Sequence, residues 1–296
     1  MWIAAACASA FFAGITAILA KCGVRKTDSD IATAIRTVVV LLFAWLIVFA
    51  SGAKQGIGDI SPHSILFLVL SGLATCGAWL CYFKALSVGD VNKVVPVDKS
   101  GIILAVLAGI IFFRETASLP LKLLCVTLIA AGTFLMIERQ SPSVNQNDPD
   151  IAHKKGYVWL PYALLSAAFA AATSVLAKVG LDGINANFGT AVRTIVILAA
   201  AWGIVAAKRK LTLVKSIPHH EAVFLILSGL STGISWICYF YAIQTGPVSA
   251  VVPIDRLSIL VTVLFARVVF QEKLSVRAMS GLACIVAGTV GLTAAG

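Results

Sequence analysis

Apolar residues run almost unbroken through most of this chain, and polar residues come in short bursts between the runs. A bilayer core takes about 20 apolar residues per helix. Ten stretches satisfy that length, at roughly 2–20, 31–50, 65–87, 91–113, 119–138, 157–178, 187–207, 221–243, 248–270 and 274–294. Most joints between them are short and hold Gly, Pro, Asn or Asp, as helix hairpins do. The exception is the stretch 139–156, with Pro142, Asn145, Asn147, Asp148, Pro149, Asp150, Lys154 and Lys155. It reads as a polar linker between a first block, 1–138, and a second, 157–296.

The two blocks repeat each other. Trp79 and Trp236, Pro96 and Pro253, Asp98 and Asp255, and Arg36 and Arg193 all stand 157 residues apart. At the same shift Ala20-Lys21 returns as Ala177-Lys178, Ser71-Gly72-Leu73 as Ser228-Gly229-Leu230, and Glu115 as Glu272. The run Thr33-Ala34-Ile35-Arg36-Thr37 returns as Thr190-Ala191-Val192-Arg193-Thr194. An ungapped shift over most of each block is a stronger signal than any short motif. Five spans per block is an odd number, so the second block enters the membrane from the opposite side. The predicted fold class is an all-α integral membrane protein, with ten transmembrane helices as two inverted five-helix repeats about an axis in the membrane plane.

Composition agrees with that class. The 296 residues are 59% hydrophobic and 12% charged, with a mean hydropathy of +0.97, against roughly 25% charged in soluble domains. The net charge of +10 is no nucleic-acid signature, because the basic residues are scattered at segment ends, where anionic lipid and the positive-inside rule place them. On the side where the chain starts, the loops hold Lys54, Arg114, Lys122 and Lys178, four bases against thirteen on the other side. That bias puts both termini outside the cytoplasm. The seven cysteines lie in or beside apolar runs without a C-x-x-C, and read as small buried hydrophobes. The first cation is Lys21, so no basic region precedes the first apolar run, which is expected to stay as a helix.

Candidate chemistry sits where polar groups enter the apolar runs, since such groups mark function by default. The stretch Trp79-Leu80-Cys81-Tyr82-Phe83, followed by Pro96-Val97-Asp98-Lys99, returns as Trp236-Ile237-Cys238-Tyr239-Phe240 and Pro253-Ile254-Asp255-Arg256. At 1.5 Å per residue Asp98 lies on the order of 10 Å below one surface and Arg36 about 8 Å below the same one. They are expected to pair, and inversion pairs Arg193 with Asp255. Each pair either locks two helices together or closes a gate on its own side. Lys99 and Arg256 point about 100° away from their acids, toward a cavity or by snorkelling to headgroups. Lys93, whose twin is Ala250, is a substrate-contact candidate because it breaks the repeat. Pro96 and Pro253 are expected to bend their helices.

Trp79, Tyr82 and Phe83 share one helix face, as do Trp236, Tyr239 and Phe240. They are either packing and interfacial anchors or an aromatic wall lining a central cavity. Trp2, Trp45, Trp159 and Trp202 are read as anchors. Ser71, Gly72, Thr75 and Ser228, Gly229, Thr232 are expected to permit close helix contacts. Glu115 and Glu272 end their helices, where the dipole disfavours an anion, and are expected to pair with a base such as Arg114 or Lys273. His63, His153, His219 and His220 fall in loops without completing a metal site. No phosphate loop, nucleophile elbow or zincin motif occurs, so no enzyme, cofactor or metal is expected.

The tandem blocks resemble the drug/metabolite transporter superfamily, EamA type. W-x-C-Y-F-x-A-[LI], V-V-P-[VI]-D-[KR], and the endings Phe113-Arg114-Glu115 and Phe270-Gln271-Glu272 carry the resemblance, which covers nearly the whole chain outside the linker. The resemblance implies a ten-helix transporter in a bacterial inner (plasma) membrane, often an exporter of small metabolites such as amino acids or drugs. It also implies cytoplasmic termini, the reverse of the charge bias. The family's closing motif is Leu-Gly-Glu, whose Gly is replaced here by Arg114 and Gln271. The leading expectation is a secondary transporter, an exporter or exchanger of a small organic metabolite, working by alternating access around a site between the repeats. Two alternatives are a flippase for a lipid-linked or phosphate-bearing substrate, held by Lys99 and Arg256, and a non-transporting membrane subunit. Expected partners are a small-molecule substrate and the lipid bilayer, not nucleic acid, with monomer and homodimer both open.

Overall fold

The computed structural model describes residues 1–23, 27–51, 60–88, 97–98, 100–136, 158–269 and 276–295. The elements are helices α1 (Trp2–Gly23), α2 (Ser29–Ala50), α3 (Pro62–Val88), α4 (Gly101–Phe113), α5 (Leu119–Met136), α6 (Trp159–Gly180), α7 (Ala186–Ala207), α8 (His219–Thr245), α9 (Val248–Arg256), α10 (Ser258–Val269) and α11 (Val276–Ala295). A short 3-10 turn, Leu211–Ser216, leads into α8. No strand occurs among the described residues. In an apolar solvent each backbone polar group must be satisfied within its own segment, which a helix does. Six of the helices, α1, α2, α3, α6, α7 and α8, are long and apolar enough to cross a membrane, and α4, α5 and α11 are shorter apolar helices. The chain is a multi-pass integral membrane protein whose described residues are nearly all helical. The linker 139–156 and the ending Phe270-Gln271-Glu272 lie outside the described residues.

The repeat is visible in how elements begin and end. Asp28 accepts a hydrogen bond from the Asp30 N–H at the start of α2, and its twin Asn185 accepts from Asn187 and Phe188 at the start of α7. Both satisfy N–H groups that a helix start leaves orphaned. The last helix of the fourth span, α4, ends on Arg114 at φ 53° and ψ 37°, with its N–H bonded to the Gly109 carbonyl. This is a left-handed helix cap, a position that favours glycine for backbone reasons. The Gly of Leu-Gly-Glu therefore answers to backbone conformation here rather than to tight packing.

The ninth span is interrupted near its proline. Pro253 sits inside α9, and the interruption comes at Leu257, one turn later. There the Leu257 N–H bonds to the Ile254 carbonyl and the Leu260 N–H to that of Leu257. Their twins do the same: the Ser100 N–H bonds to Val97 and the Ile103 N–H to Ser100. Each fourth span thus breaks its α-helical ladder with tight i to i−3 bonds directly after its aspartate. Pro96 lies outside the described residues.

The chain divides into two compact units. One comprises Met1–Cys76 with Thr173–Glu272, the other Gly77–Ala172 with Lys273–Gly296. In the first unit α1 packs along α8 and also meets α9 and α10, while α2 packs on α7 and α8. In the second, α5 packs on α11 and α4 on α5. Small residues set these distances, as is usual where lipid offers no hydrophobic drive. On α8, Ser228, Ser231 and Ser235 donate to the carbonyls of Thr16, Phe12 and Ser9 on α1, at 3.2, 2.8 and 3.1 Å.

Candidate functional site

In the first unit the site is organised around two arginines that occupy twin positions. Arg193, on α7, is 1% exposed. It donates from Nε to Ser71 Oγ at 3.0 Å and from Nη2 to Thr75 Oγ1 at 3.2 Å. Those hydroxyls pass their own protons on, Ser71 to the Thr173 carbonyl at 2.6 Å and Thr75 to the Ser71 carbonyl at 3.0 Å. The guanidinium carbon lies 3.9 Å from the centre of the Phe240 ring. Among the described residues no carboxylate pairs with it, and Nη1 has no acceptor. Burying a charge costs several kcal/mol. Two charge-assisted hydrogen bonds, about 1.5–3 kcal/mol each, and a desolvated cation–π contact of about 2 kcal/mol offset much of it.

Arg36, on α2, repeats this arrangement in part. It donates from Nη2 to Thr232 Oγ1 at 2.9 Å, and Thr232 passes its proton to the Ser228 carbonyl at 2.7 Å. Thr232 is the twin of Thr75 and Ser228 the twin of Ser71. The bond that would match Arg193 to Ser71 is missing: Arg36 Nε is buried without an acceptor among the described residues. Ser228 donates to the Thr16 carbonyl at 3.2 Å, as its twin Ser71 donates to the Thr173 carbonyl. Arg36 is also half-buried where Arg193 is enclosed. The side chain of Phe83, twin of Phe240, lies outside the described residues.

Glycines bring the helices close enough for these bonds. A Cβ on Gly72 would stand 3.0 Å from Val196 and 3.2 Å from the Arg193 carbonyl. On Gly229 it would stand 2.7 Å from Val39 and 3.1 Å from the Arg36 carbonyl. Ser-Gly-x-x-Thr is therefore more than a packing motif: the glycine admits the neighbouring helix, and Ser and Thr receive its arginine.

The expected pairs Arg36–Asp98 and Arg193–Asp255 are not formed. Each aspartate accepts from a serine instead. Ser9 donates to Asp255 Oδ1 at 2.6 Å within the first unit, and in the second unit its twin Ser166 donates to Asp98 Oδ1 at 2.6 Å. Ser166 also lies 3.0 Å from the Ala78 carbonyl, and Ser9 lies 3.2 Å from Ser235 Oγ, the twin of Ala78. A similar depth along the axis does not say which helix face is presented to which neighbour. Serines at 9 and 166 look like ordinary small residues. The one signal that could have found them is that they too are 157 residues apart.

The aromatic residues divide between the units. Trp236 and Tyr239 pack against a buried cluster of the first unit that includes Leu68, Phe188 and Phe240. The Tyr239 hydroxyl lies 2.8 Å from Ser174 Oγ, where the twin position holds Ala17. Trp45, partly buried, packs against the same cluster, edge-on to Phe188 at 5.8 Å. In the second unit Tyr82, Val97, Trp159 and Tyr162 pack around Ala85 and Ala163. Trp79 is half-buried there.

Arg256 ends α9, half-buried beside the break at Leu257. Lys93, Lys99 and Glu272 lie outside the described residues. Lys122, 1% exposed, donates to the backbone carbonyl of Glu115 at 2.8 Å, so a base of the next helix meets the main chain at that ending. Near the start of α2, Lys208 bonds Asp30 at 2.9 Å, and Lys210 bonds Asp28 and Asp30 at 2.7 and 2.6 Å. Beside them the buried carboxylate of Glu221 accepts from Thr27 N–H at 2.9 Å and from Thr27 Oγ1 at 2.5 Å. Hydrogen bonds to Asp28 and then to Asp30 raise the Lys210 pKa above its ordinary value.

Comparison with known proteins matches this arrangement. The EamA-like transporter family matches residues 1–138 and again 157–294. A protein of Sinorhizobium described as an uncharacterized transporter in the region 3′ of cobO is 46% identical over 128 residues, 43% of this chain and 90% of that relative. A protein of known crystal structure superposes with a TM-score of 0.73 at 19% identity, over 98% of this chain and 95% of its own, a likeness of fold. The chain belongs to the EamA-like transporter family, and is a membrane transporter.

Proposed function

We propose that this member of the EamA-like transporter family is a secondary transporter, an exporter or exchanger of a small organic metabolite, that alternates access by making and breaking twin seams between its repeats. The observation that carries this reading is the inequality of the two arginine seats. Arg193 is fully seated on Ser71, Thr75 and Phe240, whereas Arg36 holds Thr232 alone. Two identical sequence motifs in unlike states are what an inverted-repeat transporter holds at each moment of its cycle. In the opposite state Arg36 takes Ser228 as well, and Arg193 lets Ser71 go.

The chemistry suits a seam that must open. An arginine on neutral hydroxyls is released at a smaller cost than one locked to a buried carboxylate, whose separation would cost about 3–5 kcal/mol. The breaks at Ser100 and Leu257, directly after Asp98 and Asp255, supply joints at which the fourth spans flex. Ser9 and Ser166 hold those aspartates across the repeats, so helix movement is transmitted from one repeat to the other. Arg36, Asp98, Arg193 and Asp255 act as seam and joint residues, with Trp79, Tyr82, Trp236 and Tyr239 as packing around them.

The reading is tested by flux in proteoliposomes loaded with a broad panel of radiolabelled metabolites. Saturable exchange of at least one compound is expected, lowered about tenfold or more by Ser71→Ala with Thr75→Val, a change in barrier of ~1.4 kcal/mol. Absence of flux for every compound, or flux indifferent to both substitutions, overturns it.

A further inference from the structure

Among the described residues no carboxylate pairs with the positive charge of Arg36. The acids near its end of α2 are already engaged: Asp28 and Asp30 with Lys208 and Lys210, Glu221 with Thr27. Among the described residues its hydrogen bond goes to Thr232 Oγ1, a neutral acceptor. Its Nε–H, buried, meets no acceptor among the described residues. A buried donor without an acceptor is costly, the more so when it is charged. Arg193 shows that the same motif can satisfy this nitrogen, since Arg193 Nε reaches Ser71. In the less complete seat Nη2 stays on Thr232, and the Nε–H beside it is the place left for an oxygen of a carboxylate or phosphate.

We propose that Arg36, in its half-seated state, binds an anionic group of the transported compound, a carboxylate or a phosphate. The inference rests on the transport reading and adds the chemical class of its substrate. The anion replaces the missing Ser228 acceptor at Nε and balances the charge. When Arg36 becomes fully seated on Ser228 and Thr232, that N–H is withdrawn and the anion is released. Arg193 is the withdrawn form of the same site. One event thus couples seam closure to ligand release, because the serine and the anion compete for one N–H.

The test uses the full chain, delipidated in a maltoside detergent, with ligand stabilisation measured by thermal shift and equilibrium binding. The probes are matched sets: several amino acids, each with its decarboxylated amine and its deaminated acid, and glycerol phosphate. Binding is expected from probes that keep the anionic group, at least tenfold weaker when that group is removed. Arg36→Gln is expected to abolish it and Arg36→Lys to retain part of it. Binding of amines equal to that of the acids overturns the inference, as does full affinity in Arg36→Gln or failure of every anionic probe to bind. Should the Arg36 variants fold poorly, the matched probes on the unaltered chain decide alone. Restored phosphatidylglycerol that displaces the soluble probes from Arg36 would give the site to lipid headgroups and overturn the substrate assignment. Flux of the same probes separates the two readings. Binding without flux leaves the anion site and removes transport; flux of amines alone leaves transport and removes the anion site.

Discussion

Arg193 is a charge buried without a carboxylate, and that decides what its loss should do. Removing one partner of a buried ion pair strands the other and is strongly destabilising. Here the partners are Ser71 and Thr75, hydroxyls that already donate to backbone carbonyls, so nothing charged is stranded. Replacing such a group by an apolar side chain is neutral or stabilising by about 1–4 kcal/mol. Arg193→Met is therefore expected to leave the melting temperature unchanged or higher while flux falls tenfold or more. A parallel fall in both would make Arg193 a structural residue. The serine-held aspartates give a second contrast. Asp98→Asn weakens the bond from Ser166 and should impair flux by about tenfold or more, ~1.4 kcal/mol. Glu115→Gln, at a helix ending, should stay near the unaltered rate, and equal impairment by the two would remove Asp98 from the mechanism. Both arginines and both aspartates were legible as candidates, because they are charges inside apolar runs. Their partners were not, because hydroxyl acceptors resemble packing residues in a sequence.

At the scale of elements, the seams depend on how closely α3 approaches α7 and α8 approaches α2. Gly229 is the sharper of the two contacts, with Val39 at 2.7 Å from an added Cβ. Overpacking of this kind costs about 1–3 kcal/mol. Gly203, exposed on α7, has nothing within 4 Å of an added Cβ, and alanine there gains up to about 1 kcal/mol of helix propensity. Gly229→Ala is expected to lower the unfolding temperature in detergent, and Gly203→Ala to leave it unchanged or raise it. The same sign for both would mean that the approach of α8 to α2 is not limiting. The helices themselves were readable from run length, since α1, α2, α3, α6, α7 and α8 fall within a few residues of the expected spans. The breaks at Ser100 and Leu257 were not. The i to i−3 bonds that make each break depend on local backbone geometry, to which Ser100 and Leu257 give no clue as residue types.

For the whole molecule, one shift of 157 residues organises caps, glycines, serines, arginines, aspartates and breaks alike. That regularity is why the fold class could be derived from the chain, and why the departures from it are informative. Arg193 and Arg36 share a motif yet differ by one hydrogen bond, an inequality that a repeat in sequence cannot contain. If the two seats alternate, so must the exposure of the helices that carry them. Thr33 and Thr190 are twins one turn before the arginines, and Thr33 is half-buried where Thr190 is 1% exposed. In a chain whose seven native cysteines are replaced, the labelling rates of Thr33→Cys and Thr190→Cys by a water-soluble thiol reagent report the two seats. Thr33→Cys is expected to react faster in the unaltered background. With Ser71→Ala and Thr75→Val added, which unseat Arg193, labelling should rise at 190 and fall at 33. Rates that rise together, or that do not respond, would contradict alternation between the twin seams.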